Sequence, residues 1–341
     1  MTLQPDLKSR KEGEYLETEE NLIFSVKGLL HPPTHVIAFP KYVPIPGKIN
    51  RRKGYKKIES LSESYRFLKE NYPEYLRFDP VFNQILAEVP LAKIRRVFSP
   101  QDFLQNLLKK EKLDRVEKDS VSFVNLIAEY SSIPVLSMGI SGSLMVGLHT
   151  ETSDIDLVVY GFKQSLMVYE ALRRLVKEKN TPVKSYTRKD LERLYRFRVK
   201  DTQMSFRKFV QTETRKVLQG VFYGREYFVR LVKEPWETGE KYGEKRYLPV
   251  GPIELKAEVA DDKESIFTPL KYLIKNVLIL KGKKVDVKEI VSFRGRFCEQ
   301  AKTSEKIFVR GTLEKVSSAE DEYYRVIVGG RKEDVIIPLQ M

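Results

Sequence analysis

The chain of 341 residues has one cysteine, Cys298. A single thiol excludes both an internal disulfide and a cysteine-cluster zinc site. No apolar run approaches the length of a membrane span. The first ten residues, M-T-L-Q-P-D-L-K-S-R, lack the hydrophobic core of a signal peptide. These absences set the expectation of a cytoplasmic protein with no membrane partner. Asn and Gln are few beside Lys, Glu and Arg, a balance that leans towards heat adaptation.

What is present suits a folded chain. Hydrophobic residues make up 41% and charged residues 32% of the sequence, enough for two or three domains with a sizeable core. Lysine and arginine number 61 against 47 carboxylates, a net charge of +14. Such an excess favours polyanionic partners, nucleic acid before acidic membrane. The cations are interleaved with glutamate, so a merely soluble basic protein is the lesser alternative. The densest basic run is Lys48 to Lys57, where Arg51, Arg52 and Lys53 stand near Tyr55. It suits phosphate contact with base stacking, or a solvated loop.

The most informative stretch runs from Ser137 to Gly161. It reads as a strand (Pro134 to Ile140), a glycine-serine turn, a short helix, a polar loop and a second strand from Asp154 to Tyr160. Alternate strand residues share a face, so Asp154 and Asp156 project together while Ile155 and Leu157 point into the core. Paired carboxylates repel unless something positive lies between them, and a divalent cation with oxygen ligands is the usual remedy. Upstream, Gly142 lets the backbone approach a phosphate, and the N–H groups at a helix start attract anions.

Gly142-Ser143, ten intervening residues, then Asp154-Ile155-Asp156-Leu157 closely resembles the signature of the DNA polymerase β-like nucleotidyltransferase superfamily. Within it the chain is similar to archaeal nucleotidyltransferases of unassigned substrate. Ser153 before the first aspartate and Tyr160-Gly161 after the strand agree with that likeness. The resemblance implies an α+β fold, with a small mixed sheet and helices at the core. It further implies magnesium or manganese on Asp154 and Asp156, and a nucleoside triphosphate near Gly142, Ser143 and Ser153. A nucleoside monophosphate would pass to an acceptor hydroxyl, RNA or another nucleic acid being favoured by the charge. The superfamily usually draws a third carboxylate from a neighbouring strand. Here the next strand, Glu226 to Lys233, carries Arg230 at its middle, so Arg230 is a candidate phosphate contact. Glu226, Glu254 and Glu258 are the candidate third ligands, and the sequence does not choose among them.

Around this stretch the chain divides into an N-terminal α+β region (1–98), a core (99–235) and a β-rich C-terminal domain (236–341). Residues 1 to 20 read as polar and frayed, and Glu20 to Val43 as two strands joined through His31-Pro32-Pro33. His31 and His35 suit a hydrogen-bonding turn better than a metal site. Ile58 to Tyr75, Gln101 to Lys110, Ser120 to Tyr130, Gln164 to Lys179, Arg188 to Val199 and Met204 to Leu218 have helical periodicity. Asp79 to Ala87 reads as a loop or helical turn, Pro235 to Gly251 as a linker, and Lys271 to Leu280 as a helix or turn. The closing segments have the composition and spacing of a small β-barrel or sandwich. Arg193, Arg196, Arg198, Arg294 and Arg296 lie among aromatics and are candidate nucleic-acid contacts. Two rival functions follow: a nucleic-acid or nucleotide-binding protein on the same fold with reduced catalysis, and nucleotide transfer to a protein or small molecule.

Overall fold

The apolar alternation between Glu20 and Val43 becomes paired strands in the computed structural model, which describes residues 10–45, 47, 54–200 and 203–339. Arg51, Arg52 and Lys53 lie outside the described residues. The chain divides into two compact units. One comprises residues 1–77, 86–184 and 217–239, the other 78–85, 185–216 and 240–341.

In the first unit, strands β1 (Tyr15–Thr18), β2 (Ile23–Val26), β3 (His35–Pro44) and β4 (Tyr55–Lys57) precede helix α1 (Leu61–Asn71). Strands β5 (Leu76–Asp79) and β6 (Gln84–Pro90), whose hairpin tip at residues 78–85 is counted with the second unit, and β7 (Ile94–Phe98) follow it. They form a sheet in the order β5-β6-β3-β2-β1-β7, with β4 on β3. Leu16, Leu22, Phe24, Val36, Leu68 and Tyr75 fill one side of it. The expected loop at Asp79 to Ala87 is instead a hairpin end. Its turn is made by the Asp79 carboxylate, which accepts from the N–H groups of Val81 and Phe82 at 2.7 and 2.8 Å.

Residues 10–18, read as frayed, are an ordered part of this unit. Arg10, Glu12, Glu14 and Glu17 are buried, each with an opposite charge or a backbone partner: Arg10 beside Glu14, Glu12 beside Lys27, Glu17 beside Arg95. Charge alternation misled the reading because carboxylates bury when paired. His31 is also buried. Its Nδ1 accepts from the Ile37 N–H at 3.2 Å, and burial holds its pKa down at about 4.

Helices α2 (Pro100–Leu108) and α3 (Arg115–Ser131) lead into β8 (Met138–Ile140). Ser99 caps α2, and Asp114 with Glu117 forms a capping box on α3. Then come α4 (Gly142–Met145), β9 (Ile155–Tyr160), α5 (Phe162–Lys177), β10 (Val183–Lys184), β11 (Gln219–Phe222) and β12 (Arg225–Val232). Their sheet has the order β10-β11-β12-β9-β8; β9 and β12 run parallel and the other pairs antiparallel. One face carries Ile155, Leu157, Val159, Val229 and Leu231, buried with Phe123, Ile127, Leu172 and Leu175 of α3 and α5. The other face carries Asp156, Val158 and Tyr160. The chain at Glu12–Gly13 covers it: Tyr160 Oη donates to the Glu12 carbonyl and Ser141 Oγ to the Gly13 carbonyl.

In the second unit, helices α6 (Arg188–Arg198) and α7 (Phe206–Glu213) accompany a six-stranded sheet. Strand β13 (Arg246–Asp261) pairs with both β14 (Leu270–Lys281) and β16 (Lys306–Ser317). Strand β15 (Val287–Ser292) joins β14 and runs parallel to β17 (Glu322–Ile327), which returns to β16. Strand β18 (Val335–Pro338) also pairs with β16. The expected helix or turn at Lys271 to Leu280 is a strand. Tyr272 and Ile274 are buried while Leu273 and Lys275 face out, a period of two that short apolar runs hide. Likewise the linker Pro235 to Gly251 already contains the start of β13, where Tyr247 is buried against Phe82.

Candidate functional site

Asp156 is the second residue of β9 and Asp154 stands just before the strand. Asp154 is exposed and Asp156 half-buried. Behind them the turn into α4 passes so close that a Cβ placed on Gly142 would overlap the Asp156 carboxylate, and Gly142 has a φ of +69°. Glycine is therefore required twice there, by conformation and by space. The Ser141 N–H donates to the Asp156 carbonyl at 2.9 Å. Ser143 Oγ donates to Ser153 Oγ at 3.2 Å, and Ser153 Oγ accepts from the Thr150 N–H at 2.9 Å. These bonds tie the two ends of the Gly-Ser to Asp-x-Asp loop together.

Two groups that sequence reasoning missed hold the same loop from outside. Arg225, at the start of β12, pairs with Asp119 of α3 at 2.8 Å and donates to the carbonyls of Glu151 and Ser153 at 2.8 and 2.7 Å. His149 meets the α3 capping aspartate, Asp114, at 2.8 Å. Neither has a motif of its own; only the packing of α3 against the sheet reveals them.

The register of β12 on β9 sets Phe228 opposite Asp156 and Arg230 opposite Val158. Glu226 lies just before this register, which begins with Tyr227 opposite Ile155. Glu254 and Glu258 belong to the second unit. Glu254 pairs there with Lys281 and Arg310, and Glu258 with Lys275. Among the described residues no three His, Cys, Asp or Glu side chains form a metal-holding group. Asp154 and Asp156, with hard oxygen donors on one face and solvent access at Asp154, fit one divalent cation that keeps water ligands.

The site is strongly charged. A cavity of about 30 Å³, lined by Gly13, Tyr15, Ser25, Ser141, Asp156, Phe228 and Arg230, lies between the N-terminal sheet and β9. That is room for a water or two. Burial, then repulsion from Asp154, raises the Asp156 carboxyl to about 7 against the opposing pull of Arg230, Lys57 and Lys41. Lys41, on β3, is lowered to about 8 by burial and by Lys57. Burial raises the Tyr15 and Tyr42 hydroxyls too, with Asp156 adding to both. Arg230 is held from behind: Glu12, fully buried, takes the guanidinium at 3.2 Å, Lys27 Nζ at 3.3 Å and the Gly28 N–H at 3.0 Å. Glu12, Tyr15 and Lys41 all come from the N-terminal region, where the sequence offered no motif.

The arginines proposed for nucleic acid divide. Arg196 is exposed on α6 beside exposed Phe197, and Arg193 pairs with Asp190 at 3.2 Å. Arg198 reaches the buried Glu213 at 2.8 Å. Arg294 donates to the Gly329 carbonyl, and the Arg296 carbonyl accepts from the buried Lys216. The Arg198 and Arg294 side chains are thus engaged inside the second unit.

No helix among the described residues is long and apolar enough to cross a membrane. No family model matches the chain, and no solved structure matches it. The chain is similar to the uncharacterized protein MJ1086 of Methanocaldococcus jannaschii, 30% identical over 332 residues. That match covers 94% of this chain and 95% of the archaeal protein, so this chain belongs to the family of MJ1086.

Proposed function

We propose that the chain is a magnesium-dependent nucleotidyltransferase, moving a nucleoside monophosphate from a nucleoside triphosphate to an acceptor hydroxyl. The observation that carries this reading is Asp156, two residues after Asp154, seated against Gly142, where the absent side chain makes room for its carboxylate. The order of β8, turn, α4, loop and β9, with β12 parallel to β9, supports a polymerase β-like core. Asp154 and Asp156 would hold the cation, magnesium or manganese, which supplies charge to the phosphate oxygens. The backbone at Gly142 and Ser143 would receive the terminal phosphates, with Arg230 and Lys41 supplying positive charge. Tyr15 and Tyr42 would keep bulk water from the reacting centre. The acceptor oxygen bonds to the α-phosphorus as the bond to the bridging oxygen breaks. Pyrophosphate leaves and the hydroxyl proton passes to solvent.

RNA is the favoured acceptor. In the second unit the circuit of pairings from β13 through β14, β15, β17 and β16 back to β13 supports a small β-barrel of the kind that binds oligonucleotides. Lys275, Lys281, Lys283, Lys284 and Lys288 are exposed on it, and Lys283 lies 5.4 Å over the Tyr324 ring.

The test is incubation with labelled nucleoside triphosphates, magnesium and bulk RNA, followed by release of pyrophosphate and label transfer. Turnover absent from Asp156→Asn supports the reading. Equal turnover in both proteins refutes it. Binding without turnover would favour the rival on the same fold, a nucleotide- or nucleic-acid-binding protein, for which the lack of a three-carboxylate group among the described residues speaks. Label on a protein or small molecule would name a different acceptor.

A further inference from the structure

We propose that this site takes one divalent cation, on Asp154 and Asp156, and that the Arg230 guanidinium stands where a second ion would otherwise bind. The inference rests on the nucleotidyl-transfer reading for its substrate but is tested apart from it. Strand β12 runs alongside β9 and is the neighbour from which a third carboxylate would reach the site. Its two residues level with Asp156 and Val158 are Phe228 and Arg230, neither able to ligate a cation. Glu226 shares their face, yet it does not join the aspartates in a three-carboxylate group.

Arg230 is not a loose surface cation. It shares a cavity wall with Asp156, and the buried Glu12 fixes its guanidinium, with Lys27 and the Gly28 N–H completing the coordination of that carboxylate. A guanidinium so anchored cannot swing aside to admit a second divalent ion, and the two charges would repel across the small cavity. Lys41 and Lys57 add to the positive field at Asp156. A planar fork of N–H donors also suits bidentate contact with phosphate, so Arg230 is placed to grip the triphosphate itself.

The experiment uses the full chain, Mn2+ and an α,β-methylene nucleoside triphosphate that cannot transfer its nucleotidyl group. After removal of free ion, the Mn2+ retained per chain is counted for wild type and for Asp156→Asn, and the spin spectrum is recorded. The expected difference is one ion per chain, with no coupling between neighbouring ions. A difference of two, or a coupled pair at the roughly 4 Å spacing of two-ion sites, overturns the inference; so does a difference of zero. Asp154→Asn, at an exposed position, gives the same count if Asp156→Asn folds poorly. Arg230→Ala should weaken the analogue at least tenfold, with partial rescue by Arg230→Lys. Unchanged affinity overturns the role given to Arg230. One retained ion without pyrophosphate release would keep this inference and remove the transfer reading. Turnover with two ions would do the reverse.

Discussion

Asp156→Asn should stabilise the fold while abolishing turnover. The folded chain holds the Asp156 carboxyl at about 7 instead of 3.8, chiefly through burial and then through Asp154. Each unit of such a shift corresponds to about 1.4 kcal/mol, so ionising this group costs the folded state about 4 kcal/mol at most. The favourable contribution of the protonated form is complete below about pH 4 and is lost as the pH rises through 7. The amide carries no charge to desolvate. At pH 8 the variant should gain about 2 kcal/mol, which for a unit of about 200 residues raises the midpoint by about 4–8 °C. At pH 5 the folded group is already neutral but the unfolded one is still ionised, so the gain should shrink to about a third and vanish only below about pH 4. Millimolar magnesium should stabilise the wild type and leave the variant unmoved. Thermal unfolding of both proteins at pH 5 and pH 8, with and without magnesium, measures all of this. A variant less stable than wild type at pH 8, or a gain equal at both pH values, would refute the argument that crowded carboxylates strain this edge of the sheet.

Gly142→Ala should lose turnover by more than a hundredfold with only a modest fall in midpoint, because its methyl group displaces the Asp156 carboxylate; a crystal structure or steady-state assay decides. Glu12→Gln leaves Arg230 and Lys27 beside a neutral partner in a buried place, and urea unfolding should report a loss of about 3 kcal/mol. Arg225→Ala frees the carbonyls of Glu151 and Ser153, so hydrogen exchange across residues 150–153 should quicken at least tenfold while the rest of the sheet stays protected.

The site's two aspartates and its glycine were readable because they lie within a short run, where spacing and strand alternation suffice. The start of α2 was readable for the same reason, since capping is local chemistry, but α3 was read from Ser120 and begins at Arg115, behind its cap Asp114. Lys41, Tyr15 and Glu12 were not, because what gives them a role is the packing of the N-terminal sheet on β9, more than a hundred residues away. Arg230 was readable as a cation on the neighbouring strand, but its anchor Glu12 was not. Strand β14 was misjudged because K-Y-L-I-K-N-V-L-I-L-K satisfies a helical stripe as well as an alternating one. Its pairing with β13 decides between them.

Glu12 has a practical consequence for anyone shortening this protein. The charged segment ahead of β1 looks expendable, the kind of leader a limited digest or a tidy expression boundary would remove. Cutting between Glu12 and Tyr15 would strip away the wall that faces the two aspartates and release Arg230 from its tether. A preparation trimmed there would keep the two aspartates but not their surroundings, and an activity screen run on it would be no test of the proposed transfer.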